Sequence, residues 1–165
     1  MSSKPEPMAP AAQLSRNFTF GELTRTSHGD LMEANRTEAQ AVVPKLRELC
    51  VTLLEPVRAK FGPVKIHSGY RGQAVNTAVG SKSSTSQHTK GEAVDFSVPG
   101  HKLDDVFRWI VTSSGIPFGQ AILEGKQAGV ATWIHLSLGR PYRAADKCGQ
   151  ALTCYDGKTY NKWSA

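Results

Sequence analysis

At 165 residues, with 39% hydrophobic and 21% charged side chains, the chain is long enough for one hydrophobic core and too short to assume two. No stretch approaches the ~20 apolar residues of a membrane span, which excludes stable membrane insertion through a helix. The formal charge of +6 and a pI near 9.4 favour anionic partners, but no nucleic-acid signature accompanies them, so nucleic acid falls behind bacterial envelope polymers.

The opening residues, MSSKPEPMAPAAQLS, are rich in Pro, Ser and Ala and lack the apolar run of a secretory signal. They read as a disordered tail over 1–15, with a single domain over 16–165. Thr19 and Glu22 form a capping box after Phe18, which predicts a short helix. From Thr37 to Phe61, the residues Leu46, Leu49, Cys50, Leu53, Val57 and Phe61 make a helical apolar stripe. Pro44 marks its beginning, Pro56 a late bend and Gly62 its end.

Val64 to Ser68 reads as a strand, Gly69 to Gly72 as a turn, Gln73 to Val79 as a small helix, and Gly80 to Ser86 as a loop. Glu92 to Val98 is a second strand, closed by Pro99 and Gly100. Leu103, Val106, Phe107, Ile110 and Val111 mark another amphipathic helix. Gln120 to Glu124 and Trp133 to Leu138 form an antiparallel hairpin. The fold class is α+β, with helices packed on one face of a small, largely antiparallel sheet. The pattern shows no surplus apolar surface, so a monomer is expected.

The C-terminal segment mixes Arg140, Tyr142, Arg143, Lys147, Tyr155, Lys158, Tyr160 and Trp163. It suits either a grip on an anionic glycan or a closing segment packed on the domain. Cys50 falls on the apolar helix face as a small buried hydrophobe. Cys148 and Cys154 could close a short loop in an oxidising compartment, and the pair is left open.

The chemistry concentrates in SQHTKGEAVDF, from Ser86 to Phe96, where His88 closes a loop and Asp95 lies seven residues later within a strand. Zinc catalysis typically uses three His or carboxylate ligands and leaves a position for the attacking water. His135 in WIHLSL supplies the third. Strand alternation places Ile134, Leu136 and Leu138 on one face and His135 with Ser137 on the other. His28, His67 and His101 lack partners at usable spacing and are expected to be structural or exposed.

SGYR at Ser68 to Arg71, then Asn76, SxHxxGxAxDF and WIHLSL together resemble the zinc D-Ala-D-Ala carboxypeptidases and phage L-alanyl-D-glutamate endopeptidases. These share a fold with the hedgehog signalling domain and lysostaphin. The resemblance runs from Phe18 to Leu138. It implies Zn2+ on His88, Asp95 and His135, and Arg71 beside the scissile carbonyl. A fixed guanidinium there stabilises a developing oxyanion. It further implies a peptidoglycan peptidase cutting an L-Ala-D-Glu or D-Ala-D-Ala bond, and the small basic chain suggests a phage endolysin. Such a protein would be made in the host cytoplasm without a signal peptide and would reach the wall through a membrane lesion or in a virion. The competing expectation is an inactive zinc-containing module for wall binding or the virion.

A general base is still required. Glu92 lies on the strand face opposite Asp95, whereas Glu124 ends the strand beside that of His135, so Glu124 is the expected base and acid. Some relatives instead place Glu or His two or three residues before the last ligand, where this chain has Trp133 and Thr132. Ser86, Gln120 and Asn76 are expected to orient ligands or contact substrate.

Overall fold

A computed structural model describes residues 5–83 and 85–165; Ser84 of the expected loop and the first four residues of the expected tail lie outside them. Helix α1, Phe20–Thr24, begins at the anticipated capping box. The Thr19 hydroxyl accepts from the Glu22 N–H, and a Glu22 carboxylate oxygen accepts from the Thr19 N–H at 2.8 Å. The expectation of a disordered tail needs correction from Met8 onward. Met8 and Gln40 exchange hydrogen bonds, Leu14 is buried, and Gln13 bridges Thr19. Here Leu14 and Phe18 bury apolar surface that a purely polar tail would lack.

The helix expected over Thr37 to Phe61 is segmented. Helix α2, Met32–Ala39, passes through a 3-10 turn at Gln40–Val42 into α3, Val43–Leu49. A π-helical turn, Cys50–Leu54, follows, and α4 runs over Glu55–Phe61. Pro56 explains the widening: it has no N–H, and its ring crowds the carbonyl four residues back. The Glu55 N–H accordingly bonds to Cys50, five residues back. The stripe survives the irregularity, since Leu46, Leu49, Cys50, Leu53, Leu54 and Val57 are all fully buried.

Six strands form one sheet in the order β1-β2-β4-β3-β5-β6. They are β1 Lys65–Ser68, β2 Ala93–Ser97, β3 Phe118–Glu124, β4 Trp133–Leu138, β5 Gln150–Cys154 and β6 Asn161–Lys162. All pairings are antiparallel except β3 with β5, which makes the sheet mixed. The last two strands were not anticipated. Helix α5 spans Gln73–Ala78, and α6, Leu103–Thr112, packs on β3 and β4.

Strand alternation divides the sheet's chemistry. Val94, Phe96, Ala121, Leu123, Ile134 and Leu136 join the helices in the hydrophobic core. The intervening residues Asp95, Gln120, Ile122, Glu124 and His135 line a cleft on the other face. The core side therefore holds rigid the strands that carry the polar site.

Candidate metal centre

Asp95 and His135 face each other directly in the β2–β4 ladder, so sheet register alone brings them together. His88 arrives from a 3-10 turn, Gln87–Lys90, which reverses into β2 through Gly91 in the left-handed region (φ 72°). The turn is fastened to the SGYR segment, because the Arg71 N–H donates to the His88 carbonyl at 3.1 Å. That segment in turn lies against α1, where the Tyr70 N–H donates to the Leu23 carbonyl at 2.7 Å. Gly69 packs so closely there that a β-carbon would collide with the Leu23 carbonyl.

One ligand atom from each of His88, Asp95 and His135 lies within 4.8 Å of the others. Asp95 Oδ1 is 3.3 Å from His88 Nε2 and 3.0 Å from His135 Nδ1. The outer ring nitrogens are also engaged: His88 Nδ1 is 2.8 Å from the Gly69 carbonyl and His135 Nε2 is 3.0 Å from Gln87 Oε1. Both partners are oxygens that only accept, so the outer nitrogens carry hydrogens; the inner ones face Asp95, and a cation would take the place of the hydrogens they direct at it. Three acceptors converging on one point fit a cation, and the outer contacts fix the ring orientations as metal sites require.

Burial alone would push the Asp95 carboxyl up, but positive charge on His88 and hydrogen bonds from both histidines outweigh it and hold the group well below the carboxylate range. It is therefore anionic. Burial raises the Glu124 carboxyl, as does the Asp95 charge, against the opposing pull of His135, Trp133 and Arg71. The Trp133 indole N–H donates to Glu124 Oε2 at 2.8 Å and pins it in the cleft. Burial lowers Arg71, while Asp95 and Glu124 favour its charge. Among the described residues no ion pair engages Arg71, and its Nε is buried without a partner.

The cleft has a volume of about 600 Å³ and brings together all of His88, Asp95, His135, Glu124, Arg71, Ser86 and Gln120. Asn76 stands apart from its lining. Fully buried, it donates from Nδ2 to the Ser83 carbonyl at 2.9 Å and so secures the loop that borders the cleft. Glu92 turns away, as alternation required, and pairs with Lys45 at 3.1 Å. His67 meets Ser97, His101 stacks on Phe61, and His28 precedes a 3-10 turn at Gly29–Leu31; none of the three lines the cleft.

Gln87 and Trp133, which hold His135 and Glu124, were not anticipated. The place of Gln87 next to His88, and of Trp133 two residues before His135 in β4, was the available signal. Leu152 and Tyr160 also line the cleft, and nothing local in the sequence foretells that. Tyr142, Arg143 and Trp163 favour the closing-segment alternative, since they engage Glu48, Gln150 and Phe107. Cys148 and Cys154 are free thiols.

A His-Asp-His cluster on a rigid sheet, with a buried carboxylate and a free guanidinium in one cleft, defines a metal-dependent hydrolase. The family model for peptidase M15 matches residues 16–137, well over half of the chain, and the chain belongs to that family. It is accordingly a zinc metallopeptidase that acts on peptidoglycan. A comparison with curated proteins gave no match. No helix among the described residues is long and apolar enough to cross a membrane.

Proposed function

We propose that His88, Asp95 and His135 hold the zinc, and that the enzyme hydrolyses a stem-peptide amide, L-Ala-D-Glu or terminal D-Ala-D-Ala, as a phage endolysin. The observation carrying this reading is the single cleft that joins the three converging acceptors to Glu124 and Arg71. When bound, zinc activates water and polarises the scissile carbonyl. Glu124 takes a proton from the attacking water and delivers it to the leaving amine. Its Oε2 is held by Trp133, which leaves Oε1 for that transfer. Arg71, without a competing ion pair, compensates the negative charge developing on the carbonyl oxygen.

The small size and the +6 charge support action on an anionic wall during lysis. Synthesis in the host cytoplasm and release through a membrane lesion complete this reading, with carriage in the virion as the variant. A monomer suffices, because every proposed site residue comes from one chain. The test is mass spectrometry of fragments released from purified peptidoglycan with and without chelator. Metal-dependent new amino termini at one of the two bonds are expected. Zinc-loaded protein that releases nothing from several wall types would sink the proposal.

A further inference from the structure

The cleft has a wall that the family match does not cover. Strand β5 runs parallel to β3, from Gln120 opposite Gln150 to Glu124 opposite Cys154, and so sits directly beside the strand carrying Glu124. Both β5 and β6 lie beyond residue 137, where the match ends. From this extension Leu152 and Tyr160 enter the cleft lining together with Glu124 and the His-Asp-His cluster.

Tyr160 is placed rather than loose. On one side the β5–β6 ladder pairs Leu152 with Lys162 and Thr153 with Asn161, and the Trp163 N–H donates to the Ala151 carbonyl at 2.9 Å. On the other, the Asp156 carboxylate accepts from the Lys158 N–H at 2.8 Å and from the Thr159 N–H and hydroxyl, each at 2.7 Å. Yet the residue remains 53% exposed, the only aromatic among the exposed large hydrophobics of the described residues. A fixed backbone presenting an aromatic ring to a cleft offers rigid, amphipathic contact area at low entropic cost.

The same cleft is also lined by Ser81, Ser83 and Thr85. The lining thus combines Leu152 and Tyr160 from the β5–β6 extension with the hydroxyl-bearing Ser81, Ser83 and Thr85. An extended peptide with small side chains offers both apolar C–H surface for Tyr160 and Leu152 and amide groups for the polar lining.

We propose that Tyr160, with Leu152, forms a substrate-gripping wall that binds the peptide, not the glycan, of peptidoglycan. Tyr160 is then a specificity-determining residue for the hydrolysis. The inference rests on the peptidase reading above.

The test is steady-state kinetics on a soluble stem peptide and on intact wall, for wild type, Tyr160→Ala and Tyr160→Phe. Bound zinc and melting temperature are recorded for each. Tyr160→Ala is expected to raise KM about tenfold on both substrates with kcat little changed, the signature of lost uniform binding, and Tyr160→Phe to recover most of it. In a Glu124→Gln background, where the peptide stays uncut, its Kd measured by calorimetry should weaken by a similar factor on adding Tyr160→Ala. An unchanged KM and Kd with normal zinc content would overturn the inference. So would a defect confined to intact wall, which would assign Tyr160 to the glycan. Wild-type protein that cuts no wall peptide would overturn the peptidase reading as well.

Discussion

Glu124 shows how a few contacts select a chemical role. Burial and the neighbouring Asp95 charge raise its carboxyl above the ordinary glutamate value, so it ionises at a higher pH than a free glutamate. A base must be ionised, so activity is expected to fall as pH drops through that raised value. The acid limb of the kcat/KM profile should therefore lie above the range of an unperturbed glutamate, and a limb at or below it would contradict the assignment. Glu124→Gln keeps the shape and the Trp133 contact but cannot take a proton; kcat on wall fragments is expected to fall about 10²–10⁴-fold while zinc stays bound. Gln87 makes a different prediction. Its Oε1 holds the outer nitrogen of His135, so Gln87→Leu should weaken zinc binding about 10–100-fold in a chelator competition. Unaltered affinity would show that the contact is incidental.

Between elements, the site depends on backbone packing as much as on ligands. Gly69 has no side chain because α1 occupies the space, and its carbonyl anchors His88 Nδ1. Gly69→Ala must push the SGYR turn off the Leu23 carbonyl. Zinc affinity and melting temperature are both expected to fall, although residue 69 touches no metal; an Ala variant with wild-type affinity would refute the coupling. This scale also separates what the sequence made legible from what it hid. The spacing of His88 and Asp95 and the alternation in WIHLSL were readable, because period-two geometry dictates which side chains share a face. The opposition of Glu92 and Asp95 followed from the same rule. The π turn was not readable in detail: Pro56 announces a disturbance without stating whether the helix kinks, stops or widens. Strands β5 and β6 were hidden because QALTC is short and weakly alternating, and its parallel partner lies some thirty residues earlier. The packed segment from Met8 to Ser15 was missed for the related reason that composition does not reveal a docking surface supplied by α1, the turn at Gln40, α3 and α4.

For the molecule as a whole, the hydrophobic face of the sheet supplies stability and the cleft face spends part of it. Leu53, fully buried in the π turn, should cost about 2–5 kcal/mol when cut to Ala, as read from chemical denaturation, without altering zinc stoichiometry. The cleft contains a buried anionic Asp95 beside a burial-raised Glu124, and a bound cation would offset their mutual repulsion. Chelation is therefore expected to lower the melting temperature by about 10 °C, restored by zinc; an identical melt with and without metal would argue against the site being filled in the folded protein.

The convergence of His88, Asp95 and His135 has one more consequence. Acceptors arranged to take a metal ion take hydrogen ions by the same lone pairs, so the two compete for one place. Zinc occupancy should therefore fall as pH is lowered, as read by metal analysis after dialysis, and return when pH is raised in the presence of zinc.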